Sequence, residues 1–141
     1  VPYASLTHLQ AHLSGVRLTA SSTPTADAAA GFLEDGAAII DGILRSAGYQ
    51  LPVPEGATGA LGVLRRANVA AAAADVRAAM PAGGDDAKKA AAKEWDRWQA
   101  WLDPSASGRT LDLGLTTETT ERFARSGFAG TSAILGRNLQ L

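Results

Sequence analysis

The sequence predicts an all-α fold: a small bundle of four to five helices with an extended C-terminal arm. Two observations carry this reading. Apolar residues recur at spacings of three and four from Leu6 to Leu102, the signature of amphipathic helices. Residues that start or stop helices, namely Gly15, Pro24, Gly48, Pro81 and Pro104, fall at the joints between these stretches.

The first helix is predicted over 5–14. Ser5 is a candidate N-cap, its hydroxyl taking an otherwise unpaired backbone N–H. Leu6, Leu9 and Leu13 share a face, and Gly15 supplies a left-handed stop. Residues 16–23 read as a loop. Thr23 as cap and Pro24 at the first helical position start a second helix over 24–47. Its apolar stripe is Phe32, Leu33, Gly36, Ile39, Ile40, Ile43, Leu44 and Ala47. Asp41 and Arg45 form an i,i+4 pair outside it, and Gly48 closes the helix. Residues 50–59 form a Pro/Gly linker, extended through Leu51-Pro52-Val53-Pro54. The third helix, over 58–80, presents Leu61, Leu64, Asn68, Ala72, Val76 and Met80, and its alanine-rich middle admits a close helical neighbour. After an Ala82-Gly83-Gly84 joint, Asp85 or Asp86 caps a fourth helix running to Leu102. Trp95, Trp98 and Leu102 lie on one side of it, with Trp101 rotated partly away.

The texture changes from Ser105. Leu111, Leu113 and Leu115 alternate with Asp112 and Gly114, the period-two pattern of a short strand or extended segment. Residues 116–124 suit a short helix. Gly127, Gly130 and Gly136 then interrupt an apolar tail. The expected organisation is a helical domain over 1–104 and an extended arm over 105–141.

Composition narrows the classes of function. A chain of 141 residues with net charge −1 lacks the basic balance of a dedicated nucleic-acid binder. Much of its 46% hydrophobic content is alanine, which favours helix but buries little area, so neighbouring subunits are expected to contribute stability. With no cysteine, disulfides and thiolate metal sites are excluded. No basic region precedes an apolar stretch, so no signal peptide is expected, and Val1 in place of methionine reads as processing or trimming. No apolar run is long enough for a membrane span.

Several patterns invite a chemical reading, and each has a simpler one. His8 and His12 stand at i,i+4, but Leu9 and Gln10 replace the glutamate-bearing part of a zinc motif, so surface or interface histidines are expected. Gly56, Gly59 and Gly62 match neither a dinucleotide nor a phosphate loop and read as a flexible helix entry. Ser126 lacks a nucleophile-elbow frame. Asp85 and Asp86 read as a solvated helix start, and Glu34 and Asp35 diverge. The expectation is a protein that is not an enzyme, with no catalytic residue, cofactor or metal. Trp95 and Trp98 are expected in the core and Trp101 at a protein contact. Arg65-Arg66, Lys88-Lys89-Lys93 and Arg122-Arg125-Arg137 are small basic groups on solvated faces. Repeated around a ring, they would tolerate a passing DNA backbone without reading its sequence.

One resemblance covers residues 3–54. The Tyr3-x-x-Leu6-x-x-Leu9 opening, the break at Ala26-Asp27, the Ile39-Ile40-Asp41-Gly42-Ile43-Leu44 helix end and the Gly48-Tyr49-x-Leu51-Pro52-x-Pro54 exit occur in this order. In that order they resemble the head–tail connector (adaptor) proteins of tailed bacteriophages and prophages, also found in phage-like gene transfer agents. The resemblance implies a structural virion protein at the head–tail interface or neck, assembled in the host cytoplasm. Its copies would form a ring with the portal's twelve-fold symmetry and a lumen for DNA. Implied partners are the portal protein, a neck or tail protein, further copies of the chain, and passing DNA without sequence specificity. The C-terminal part of such proteins commonly reaches toward the portal. By resemblance the anchors here are Phe123, Phe128, Ile134, Leu135 and Leu139, with Trp101, Arg137 and Leu141 as further interaction residues. The alternatives are another neck or tail-completion protein, a helix-turn-helix regulator, or a helical-bundle enzyme. The helix count, the near-neutral charge and the lack of clustered His/Glu pairs weigh against these respectively.

Overall fold

Four helices make up the described part of the molecule: α1 (Leu6–His12), α2 (Ala26–Ser46), α3 (Thr58–Ala79) and α4 (Asp85–Leu102). The structure is a computed structural model and describes residues 1–81 and 84–103. The all-α expectation holds, with no strand among the described residues. The alternating 111–115 segment, the short helix over 116–124 and the arm over 105–141 lie outside them.

Helix α3 is the centre of the bundle. Its residues 67–73 are all buried, and a helix can bury seven consecutive residues only if neighbours enclose it. Helices α1, α2 and α4 all pack on it. The sequence-based stripe of Leu64, Asn68, Ala72 and Val76 is buried, but Ala67, Val69, Ala70, Ala71 and Ala73 join it. Alanine makes this possible, because only side chains this small let three helices close around one.

Two apolar clusters divide the core along α3. The first joins Leu9 and Leu13 of the α1 region to Leu33 of α2 and Val69, Ala72, Ala73 and Val76 of α3. The second joins Ile40 and Leu44 of α2, Tyr49, Leu64 and Ala67 of α3, and Leu102 of α4, with Trp95 and Trp98 packed against it. The start of α2 therefore meets the end of α3, and the end of α4 meets the start of α3, giving an antiparallel arrangement. Each fully buried leucine in these clusters contributes about 1.5–3 kcal/mol.

The helix ends differ in detail from the sequence-based expectations. Ser5 caps α1 in a reciprocal box: its Oγ accepts from the His8 backbone N–H, and the His8 ring accepts from the Ser5 N–H. Gly15 does adopt a left-handed φ of 74°, but two residues past the C-cap Leu13. The start of α2 shifts from Thr23-Pro24 to Thr25, whose hydroxyl accepts from the Ala28 N–H. Pro24, which follows a cis peptide bond, stands before the helix rather than at its first position. Gly84, not Asp85 or Asp86, occupies the N-cap of α4, and the two aspartates sit in its first turn, where they favour the helix dipole.

The end of α2 is a Schellman turn. Gly48, with φ 88°, donates to the Arg45 carbonyl, and Tyr49 donates to the Leu44 carbonyl. The turn delivers Tyr49 into the second cluster beside Leu44. Ile39, placed by periodicity on the apolar stripe, is 45% exposed. Ala37, which the stripe leaves out, is buried along with the expected Gly36 and Ile40.

The closest approach in the bundle is between α2 and α3 at Gly36. A Cβ there would stand 2.9 Å from the Ala71 Cβ and 3.0 Å from the Asn68 Nδ2. The same approach brings Asp35 near Asp75, whose carboxyl is pushed above its usual range, first by burial and then by the Asp35 charge. Gly36→Ala should destabilise the fold by about 1 kcal/mol or more through overpacking, despite better helix propensity. On the same helix, Gly42 faces open space, and Gly42→Ala should stabilise by about 0.5–1 kcal/mol. Urea unfolding of both variants checks the contrast.

Candidate protein-binding surface

Asn68 is the only fully buried polar residue among those described, and its amide makes three bonds. Its Oδ1 accepts from the backbone N–H groups of Tyr3 and Ala4, each at 3.0 Å. Its Nδ2 donates to the Leu33 carbonyl of α2 at 2.9 Å. One side chain thus joins the N-terminal segment, α2 and α3. Sequence reasoning placed Asn68 on the apolar stripe without assigning it work. A polar amide amid alanines was the available signal, since buried polar groups are rarely left unpaired.

The N-terminal segment is fixed a second time by Tyr3, whose hydroxyl donates to Asp41 Oδ1. Asp41 therefore serves the phenol, in place of the ion pair with Arg45 that its i,i+4 spacing suggests. Burial raises the Tyr3 phenol well above its ordinary value, and the hydrogen bond to Asp41 and that residue's negative charge add to the shift. Tyr3 and Asp41 line a hollow of about 650 Å³ with Pro52, Val53, Leu61 and Arg65.

A second hollow of about 650 Å³ lies between α3 and α4. From α3 come Thr58, Gly59, Gly62, Val63, Arg65 and Arg66; from α4 come Glu94, Arg97, Trp98 and Trp101. The two hollows share Thr58, Gly62 and Arg65 in their walls. Trp98 and Trp101 meet edge to face, ring centroids 5.6 Å apart and planes at 86°. Trp98 also packs on the second core cluster, which fixes the pair, and Trp101 remains 36% exposed. A rigid indole, aliphatic walls and an arginine border suit a peptide or protein contact.

The remaining sequence candidates divide clearly. Trp101 lies at this groove. Phe123, Phe128, Ile134, Leu135, Arg137, Leu139 and Leu141 lie outside the described residues. His8 is occupied by the helix cap, and His12 Nε2 stands 3.4 Å from Glu94 Oε2, so the two imidazoles serve different partners. Among the described residues no three metal-ligating side chains group together, and no helix is long and apolar enough to cross a membrane. Gly59 and Gly62 belong to α3 itself rather than to a flexible entry. Arg97 as a member of the border was not legible, because only the packing of α4 on α3 brings it beside Arg65 and Arg66.

An α-helical bundle with an apolar, arginine-edged groove is the class of molecule these observations define. No protein-family model matches the chain, and no curated protein or solved structure matches it significantly.

Asn68→Leu should destabilise by about 2–4 kcal/mol, because it strands the buried Ala4 N–H and removes the amide's other bonds; thermal and urea unfolding measure this. The Tyr3 linkage has a definite sign. A phenol whose pKa is raised on folding contributes stability that is complete below its unfolded value of about 10 and declines as pH rises above it. Stability should therefore fall more steeply above about pH 10 in the parent chain than in Tyr3→Phe, as read by urea midpoints across that range.

Proposed function

We propose that the chain is a structural subunit of the head–tail connector class, a ring component joining a portal to a neck or tail around a lumen for DNA. The observation that carries this reading is the ordered set of features from Tyr3 to Pro54. Support comes from the work those residues do in the bundle. Tyr3 and Leu9 hold α1 against the other helices, Ile40 and Leu44 form the inner face of α2, and Gly48-Tyr49 turn the chain out of it. A core in which nine of the nineteen buried hydrophobic residues described are alanine, with Ile39 and Trp101 left exposed, is consistent with a subunit that gains further burial from neighbours. In this reading the protein needs no cofactor and performs no chemistry. Its partners are the portal, a neck or tail protein, other copies of itself and passing DNA. By the resemblance, Phe123, Phe128, Ile134, Leu135 and Leu139 are the apolar anchors of the arm, with Trp101, Arg137 and Leu141 as further interaction residues.

Light scattering and negative-stain imaging of the full chain and of a form lacking residues 127–141 test the proposal. The full chain is expected to form rings, alone or on added portal, and the shortened form to lose them. A full chain that stays monomeric and is not retained by portal would overturn it.

A further inference from the structure

The groove between α3 and α4 carries charge and open space that the fold itself does not use. Arg65, Arg66 and Arg97 border it against one carboxylate, Glu94, and that carboxylate lies 3.4 Å from His12. Gly59 and Gly62 form part of its wall, and a Cβ added at either would meet nothing within 4 Å. Glycine inside a helix is destabilising relative to alanine, and packing among the described residues gives no reason for Gly62. The groove thus offers cationic edges, two indoles and bared helix backbone. An extended acidic segment carrying aliphatic side chains fits all three features.

The chain contains such a segment. Residues 111–121, from Leu111 to Glu121, hold three leucines (Leu111, Leu113 and Leu115), three carboxylates (Asp112, Glu118 and Glu121) and no basic residue. Asp103, the C-cap of α4, follows Trp101 of the groove by two positions. Only residues 104–110 separate it from Leu111. Extended, those residues span up to about 25 Å, ample for a groove this size. A short tether also holds its segment at an effective concentration on the order of millimolar.

We propose that residues 111–121 dock in the α3–α4 groove of their own chain, carboxylates toward Arg65, Arg66 and Arg97 and leucines against Trp98 and Trp101. This docking goes beyond the connector reading and stands whether or not that reading does.

All three tryptophans lie on α4, so acrylamide quenching of the full-length protein reads the cover over Trp98 and Trp101. Asp112→Lys/Glu118→Lys/Glu121→Lys is expected to raise quenching, as is high salt on the parent chain. Arg65→Glu/Arg66→Glu/Arg97→Glu is expected to do the same with helicity retained. Combining the two sets should restore the parent value, which a merely unfolded variant would not. Unchanged quenching in the lysine variant, or failure of the combined variant to restore it, overturns the proposal. The parent has no cysteine, so a Gly62→Cys/Leu113→Cys pair reports the geometry directly. A disulfide within one chain is expected. Disulfide-linked dimers would place the segment on a second copy and overturn docking within the chain, and free thiols would overturn docking altogether.

Discussion

The contact between α2 and α3 at Gly36 is the constraint on which the rest of the structure depends. Gly36 has no side chain, so Ala71 and Asn68 approach its backbone directly. At that separation the Asn68 amide reaches the Leu33 carbonyl across the interface while its oxygen holds the Tyr3 and Ala4 amides. A wider spacing would break the bond to α2 and leave a buried amide group unpaired, a penalty of about 1–3 kcal/mol. Close packing and polar satisfaction are therefore one requirement here.

That requirement has consequences for composition. The middle of α3 is enclosed by three helices, so its residues must be small, and small residues supply little apolar area each. The larger side chains collect at the two ends, in the Leu9/Leu33/Val76 cluster and in the Ile40/Leu64/Leu102 cluster. The aromatic residues of α4 sit at the second of these, where one indole faces inward and another reaches the groove. The close approach also sets Asp35 near Asp75, whose carboxyl is raised first by burial and only then by the Asp35 charge.

The fold was largely legible in the sequence because helical periodicity and stop residues are local signals. The four helices, the Ser5 cap and the stop at Gly48 follow from residues a few positions apart. What was not legible depends on contacts between elements. Ile39 fits the stripe of α2 as well as Gly36 does, and only the position of α3 decides which faces inward. The pairing of Tyr3 with Asp41 spans 38 positions, and the Asn68 bonds to Tyr3 and Ala4 span 65 and 64, so no local pattern signals them. The start of α2 lies two residues later than expected because Thr23-Pro24 and Thr25 both satisfy capping rules, and the Thr25 hydroxyl is the one that takes the Ala28 N–H. Of the candidate site, Trp101 was found from its helical angle, whereas the glycine wall and Arg97 became visible only with α4 packed on α3.

The Asn68 oxygen takes hold of backbone amides, not side chains. Its grip is therefore indifferent to the side chains at positions 3 and 4, which are held instead by the Tyr3 bond to Asp41 and by the burial of Ala4. It is not indifferent to spacing. From Ala4 the chain must pass through the Ser5 cap to place Leu9 in the core, so one residue added or lost between them would carry Leu9 about 100° around α1. Between Ala4 and Leu9 this geometry fixes the number of residues as firmly as packing fixes Ala4 and Leu9 themselves.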